Sequence, residues 1–135
     1  MSAREAYLTA SNYYRSAEFF LHTNPSDPRI VQTWQKSVES FRKAALLFAS
    51  PVEFIEIPYE GQTIPGYFYK VDNVNILRPT LILFTGFDGT QEELYATSVC
   101  AAISKGYNCL TFEGPGQGGV IRKQIFLSVT TGKKS

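Results

Sequence analysis

The stretch from Arg78 to Thr90 most constrains the fold of this chain. It begins with a short, continuous apolar run over residues 80–84, bounded by a proline on one side and by two glycines on the other. Such a run is typical of a strand buried on both faces of a parallel sheet. The glycines permit a sharp exit from the strand, and Thr90 with Glu93 has the capping-box spacing that begins a helix. We therefore predict a strand, a glycine turn and a capped helix, with the N–H groups of residues 86–91 directed at a partner.

Two amphipathic helices are predicted before this stretch. The first covers residues 2–22, begins with a capping box from Ser2 to Glu5, and ends before a proline. The second opens with Asp27 as N-cap and Pro28 at the first helical position. Their apolar stripes have spacings of three and four, with Tyr7, Ala10, Tyr14, Ala17 and Leu21 on the first and Ile30, Trp34, Val38, Phe41, Ala45 and Phe48 on the second.

After Pro51 the pattern changes from helical to strand-like. Residues 52–57 and 62–69 form two runs joined by a turn that contains Gly61, which predicts a β-hairpin. Gly106 is suited to end the central helix, and residues 107–112 form a further strand. The fold class is thus α/β, with an incomplete sheet made of an antiparallel edge hairpin and one right-handed βαβ unit. We expect a helical cap region at residues 1–50, the sheet at 51–119, and a disordered tail at 120–135.

Composition limits the classes of partner and the compartment. The formal net charge is +1, so nothing favours nucleic acid or a membrane surface as a partner. The N-terminus lacks the apolar core of a secretion signal, and no apolar run is long enough to span a membrane. Cys100 and Cys109 are therefore expected to be buried, reduced thiols, and the expected location is cytoplasmic.

Aromatic residues make up 14% of the chain, with ten Phe, eight Tyr and one Trp. Many of them fall within the first 70 residues. They can serve as ordinary core packing, or they can line a pocket for a planar or apolar small molecule.

Several site chemistries are excluded by the residues of this sequence. Gly114, Gly116 and Gly119 fit the dinucleotide glycine pattern, but no acidic residue follows Glu113 to bind a ribose. His22 is the only histidine, so no metal site and no cofactor are expected. No G-x-S-x-G motif occurs and no histidine follows any strand, so these residues alone cannot assemble a Ser-His-Asp triad.

One component of a hydrolase site is nevertheless predicted. Gly86 and Phe87 leave the carboxyl end of a buried strand directly before a capped helix, which is where open α/β sheets bind ligands. A backbone N–H at that position suits a developing oxyanion. The alternative is a glycine turn that serves only to reverse the chain.

Three segments carry a family resemblance: residues 57–69, residues 83–94 and residues 111–118. They resemble the 2,6-dihydroxypseudooxynicotine hydrolase-like α/β-hydrolases, which are akin to the esterases called fermentation-respiration switch proteins. Fungal pigment enzymes that shorten polyketides by C–C hydrolysis are similar at a greater distance. The resemblance extends over about residues 1–123 and includes the leading helices.

The resemblance implies a helical cap over a hydrolase sheet, with a small molecule as substrate. In that family the nucleophile, acid and histidine follow the segment that matches residues 112–118. Gly86 and Phe87 match the family's oxyanion turn, with the Phe87 N–H as one donor and the second donor beyond the residues of this sequence. Asp88 also matches the pattern and is given no catalytic role.

The sequence therefore predicts the N-terminal part of a hydrolase that acts on an ester or an activated C–C bond. Lacking the triad, it is expected to be inactive alone, and its open strands are expected to favour pairing with another chain. The alternative function is a non-catalytic module that binds a small molecule or forms a homodimer through its aromatic helical cap.

Overall fold

A computed structural model of the chain describes residues 2–21, 23–24, 26–85 and 90–113. The chain divides into two compact units, Met1–Ala49 and Ser50–Ser135. The predicted tail, the loop after Glu113, the turn at residues 86–89 and His22 lie outside the described residues.

The first unit is an α-helical hairpin. Helix α1 spans Ala3–Phe19 and helix α2 spans Arg29–Ala45. Ser2 caps α1 in the predicted capping box, because its side chain accepts from the Glu5 N–H while its own N–H donates to the Glu5 carboxylate over 2.9 Å. Helix α2 begins one residue later than predicted, with Pro28 instead of Asp27 as the N-cap. The Asp27 carboxylate accepts from the Arg29 N–H over 2.9 Å.

The buried face of α2 follows the predicted spacing, with Ile30, Trp34 and Phe41 all buried. The predicted apolar stripe of α1 is wrong, because the two buried residues of that helix are Ser11 and Glu18. Both are polar, and both have polar partners. Ser11 bonds to α2, and Glu18 forms an ion pair with Arg15 at 2.7 Å. Burial of these groups is tolerated because they are hydrogen-bonded.

The second unit is built on a four-stranded sheet. Its strands are β1 (Val52–Tyr59), β2 (Gln62–Tyr69), β3 (Thr80–Leu83) and β4 (Asn108–Phe112), in the spatial order β1-β2-β4-β3. Strands β1 and β2 form the predicted antiparallel hairpin, and β2 also pairs antiparallel with β4. Strands β3 and β4 are parallel, as expected for a βαβ unit. The hairpin turn at Glu60 and Gly61 has positive φ at both residues, 47° and 75°, which suits the twist of a two-residue hairpin.

The segment between β3 and β4 is helical but irregular. It consists of a 3₁₀ turn (Gln91–Glu93), a π-helical turn (Tyr95–Val99) and a short helix α3 (Cys100–Ser104). The predicted regular helix is therefore corrected to three helical types in succession. Gly106 ends the segment with φ of 86°, as predicted. Val99 and Ala102 are buried as expected.

Strand β3 is the main exception to the predicted core. Leu81 is 41% exposed and Ile82 is 59% exposed, so the prediction of a strand buried on both faces is wrong for this structure. β3 lies at an edge of the sheet, whereas β4 has a neighbour on each side and buries Cys109 completely. The sequence predicted that both strands would lack a neighbouring strand. This holds for β3, which has one neighbour, and not for β4, which has two. Cys100 is exposed rather than buried, and both cysteines are free.

Candidate active site

The carboxyl ends of the parallel strands β3 and β4 lie side by side. Leu83 is paired with Thr111 in the parallel register, so the chain leaves both strands at the same end of the sheet. We call this end, where the carboxyl ends of β3 and β4 lie, the carboxyl edge. Ligands of open α/β sheets bind outside such an edge. The predicted oxyanion residues Gly86 and Phe87 follow β3 directly in the sequence, but both lie outside the described residues.

A cluster of buried polar side chains occupies this edge. Thr90, Gln91, Thr111 and Glu113 are each 3% exposed or less. The Gln91 N–H donates to the Glu113 carboxylate over 2.9 Å. The Gln91 side chain donates to the Pro65 carbonyl over 3.1 Å and accepts from the Thr111 hydroxyl over 3.2 Å. A single glutamine therefore connects the start of the helical segment to both β2 and β4.

This arrangement narrows the choice of oxyanion donors. Residues 86–91 were expected to direct their N–H groups at a partner, and for Gln91 that partner is the protein's own Glu113. The Gln91 N–H is thus already in use.

A second hydrogen-bonded group lies next to the cluster, on the same helical segment. The Tyr67 hydroxyl donates to the Glu92 carboxylate over 2.6 Å, and the Thr90 N–H donates to the Glu93 carboxylate over 3.3 Å. The latter bond is one arm of the predicted capping box at Thr90. Together with the Gln91 bonds, these contacts fix the first residues after the predicted turn.

Aromatic packing supports the helical segment from β2. The rings of Tyr69 and Tyr95 stack at 5.9 Å with an angle of 20°, and the ring centroids of Tyr67 and Tyr69 lie 6.0 Å apart. Burial, followed by the nearby charge of Glu92, raises the pKa of Tyr69 above its ordinary value, so the phenol is neutral at physiological pH. Burial likewise raises the pKa of the Cys109 thiol. Neither group has the lowered pKa of an activated nucleophile.

Glu113, Gln91 and Thr111 were not predicted as site residues from the sequence. Glu113 precedes a glycine-rich stretch of sequence, and Gln91 belongs to a helix cap, so neither suggests a site by itself. A signal did exist: an acidic residue directly follows one parallel strand, and a polar residue begins the helix after the neighbouring strand. Because such strands end at one edge, residues of this kind are brought together.

The opposite end of the sheet carries a polar pocket of about 340 Å³, lined by residues 70, 72–76, 78 and 108. Its two cationic side chains are already paired, Lys70 with Glu53 and Arg78 with Asp72. The pocket thus offers little unneutralised charge to a ligand, and we place the candidate site at the carboxyl edge instead.

Metal-binding clusters and membrane-spanning helices are both absent from the described part of the chain. Within ranges 2–21, 23–24, 26–85 and 90–113, no group of three or more His, Cys, Asp or Glu side chains could hold a metal ion. Among the same residues, no helix has both the length and the apolar character needed to cross a bilayer.

Known proteins are similar to this chain in sequence and in fold. The chain is 44% identical over 138 residues to the hydrolase acrC of Aspergillus aculeatus, covering 91% of this chain and 32% of that protein. It is 41% identical over 132 residues to the α/β hydrolase psoB of Aspergillus fumigatus, covering 91% of this chain and 29% of that protein. The chain belongs to the α/β-hydrolases.

A solved structure supports this assignment at the level of fold. The crystal structure of 2,6-dihydroxy-pseudo-oxynicotine hydrolase matches with a TM-score of 0.62 and 18% identity, over 100% of this chain and 47% of that chain. No family model matches the sequence. This α/β-hydrolase chain spans about 30% of the length of the curated relatives it matches. Its sheet is accordingly an incomplete hydrolase sheet preceded by a helical region.

Proposed function

We propose that these residues supply the helical cap and one half of the oxyanion hole of a hydrolase that cleaves an ester or an activated C–C bond of a small molecule. The observation that carries the proposal is the adjacent carboxyl ends of β3 and β4, with the Gln91 N–H bonded to Glu113 directly after β4. In this proposal the Phe87 N–H donates to the developing oxyanion, and Gly86 allows the chain to turn.

In this proposal the nucleophile, acid and histidine come from outside these 135 residues. The sequence has no G-x-S-x-G motif, and its one histidine, His22, precedes every strand. The neutral Tyr69 and the buried Cys109 offer no activated replacement. The 135-residue chain alone is therefore proposed to bind or shape the pocket without completing a catalytic cycle.

Turnover by the isolated chain tests the missing triad. The purified chain is expected to hydrolyse p-nitrophenyl acetate no faster than buffer does. It should also resist labelling by a fluorophosphonate, which reacts with activated serines. Hydrolysis that co-purifies with the chain and disappears on fluorophosphonate treatment would contradict this part of the proposal.

A chimera tests the oxyanion donor. Residues 1–113 of this chain would replace the matching segment of the acrC hydrolase, which is 44% identical. Phe87→Pro removes the N–H and should lower kcat by about 10²- to 10³-fold. Asp88→Asn in the same turn is the matched control and should leave kcat unchanged. If the Phe87→Pro chimera keeps its full kcat, Phe87 is not the donor.

A second function is favoured by the aromatic surface of the helical hairpin. Tyr13 is 73% exposed and Phe20 is 78% exposed, although both are large side chains with apolar surface. Such side chains suit a contact with an aromatic ligand or with a second copy of the chain. Light scattering after size-exclusion chromatography tests whether the chain forms a dimer through this surface. A dimer lost in a Tyr13→Lys, Phe20→Lys variant supports the dimerisation module, and a monomer at all concentrations excludes it.

A further inference from the structure

The end of β3 and the start of the helical segment both attach to the end of β4 or to the residue that follows it. At its start, Leu83 is paired with Thr111 of β4 in the parallel register. At its end, the Gln91 N–H bonds to Glu113, which follows β4 directly. The two anchoring residues, Thr111 and Glu113, are two positions apart, so the end of β4 holds both Leu83 and Gln91.

The second anchor is made of side chains that have little freedom to rearrange. Gln91 is 2% exposed and Glu113 is 1% exposed. The side-chain nitrogen of Gln91 donates to the Pro65 carbonyl, and its side-chain oxygen accepts from the Thr111 hydroxyl. A buried polar network of this kind is costly when one partner is lost, because the remaining groups stay desolvated without their bonds.

Glu113 places a carboxylate at a buried position, where an apolar side chain would be the usual residue. Burying a charge is unfavourable unless hydrogen bonds compensate it, and an apolar residue of similar size would avoid that cost. What the carboxylate provides is a directional, charge-assisted bond to one particular backbone N–H. Glu113 therefore fixes the position of residue 91 more narrowly than packing alone would.

We propose that Gln91 and Glu113 are positioning residues: they hold the start of the helical segment, residues 90–93, against β2 and β4 at the carboxyl ends of the parallel strands. The anchor itself stands on the contacts above. The use of this place by a substrate rests on the proposed function.

Substitutions of each partner separate anchoring from chemistry. Glu113→Gln keeps the shape and an oxygen acceptor but removes the charge, whereas Glu113→Ala removes the acceptor. Gln91→Met keeps the length of the side chain but removes its bonds to Pro65 and Thr111. Glu56→Gln and Glu56→Ala are the matched controls, because Glu56 is an exposed residue of β1 in the same sheet.

Amide hydrogen exchange on the whole 135-residue chain gives the readout. In Glu113→Ala and Gln91→Met, exchange at residues 90–93 should accelerate by about tenfold or more, with a much smaller change in β1 and β2. Glu113→Gln should restore most of the protection. Its Gln91 N–H signal should still move upfield in the NMR spectrum, because the bond is no longer charge-assisted.

Three results would overturn the proposal. One is equal acceleration across β1, β2 and residues 90–93, which would make the cluster a source of general stability only. Another is no local acceleration in any variant. The third is an unmoved Gln91 signal in Glu113→Gln, the variant that decides the question should Glu113→Ala fail to fold. None of these measurements needs turnover, so a failure of the proposed hydrolase function is recognised separately, in the chimera.

Discussion

Strands β2 and β4 approach each other so closely that Gly66 has no room for a side chain. A Cβ built on Gly66 would lie 2.9 Å from the carbonyl oxygen of Thr111 and 3.2 Å from the side chain of Ile55. The nearest atom belongs to backbone, which cannot rotate away. This contact lies next to Pro65, whose carbonyl accepts the Gln91 side chain, so it helps to set the geometry of the candidate site.

We expect Gly66→Ala to destabilise the second unit by about 1–3 kcal/mol, the usual cost of overpacking a close contact. Urea denaturation followed by circular dichroism would measure the change in the free energy of unfolding. Gly61 offers a matched comparison, because it has φ of 75° and no atom lies within 4 Å of the position that a Cβ would occupy there. Asn tolerates that backbone conformation, so Gly61→Asn should cost much less than Gly66→Asn. Equal costs at the two positions would contradict the steric explanation.

The helical hairpin is joined by a reciprocal pair of serines. The Ser11 hydroxyl donates to the Ser37 carbonyl over 2.8 Å, and the Ser37 hydroxyl donates to the Ser11 carbonyl over 2.8 Å. Either substitution, Ser11→Ala or Ser37→Ala, should lower the free energy of unfolding by about 1 kcal/mol. A double-mutant cycle should show coupling between the two, since the hydroxyl oxygens are only 3.2 Å apart. Ser16→Ala, at an exposed position of α1, is the control, and strictly additive effects would show that the two bonds act independently.

Alkaline pH should weaken the second unit. Burial and the charge of Glu92 raise the pKa of Tyr69, and burial raises the pKa of Cys109. The folded chain therefore keeps protons that the unfolded chain releases, so the stability from these groups is complete below their ordinary pKa values and is lost as the pH rises above about 9. The urea midpoint should fall across this range. Tyr69→Phe should flatten the fall, whereas Tyr59→Phe, at an exposed tyrosine, should not. An unchanged slope in Tyr69→Phe would exclude Tyr69 as a source.

The elements predicted well are those whose signals are local. The β1–β2 hairpin follows from alternating residues around Gly61, and the stop at Gly106 follows from a glycine that can adopt positive φ. Ser2 and Glu5 predict the start of α1 for the same reason, since a capping box needs only four neighbouring residues.

The elements predicted poorly depend on distant partners. The buried face of α1 contains Ser11 because Ser37 of α2 satisfies its hydroxyl, and no spacing within α1 reveals that partner. The helical segment at residues 91–104 departs from a regular α-helix where Gln91 bonds to β2 and β4 and where Tyr95 stacks on Tyr69. The sequence predicted that the candidate site lies at the carboxyl ends of the parallel strands. It did not predict the Gln91–Glu113 bond, which joins residues that are 22 positions apart.

The exposed edge at β3 is expected to make the isolated chain self-associate. A strand with an apolar sequence normally has both faces covered when it belongs to a parallel sheet, yet Ile82 of β3 is 59% exposed and Phe84, which follows the strand, is 68% exposed. β3 also has a paired strand on one side only, and unprotected strand edges pair with other chains. Ile82→Lys should suppress the association, because a charged side chain at an edge opposes pairing. Static light scattering over a concentration series would measure the effect. Leu46→Lys replaces an equally apolar residue that is 76% exposed on the helical unit, and it should leave association unchanged. If both lysine variants suppress association to the same degree, general surface hydrophobicity is responsible and not the edge of β3.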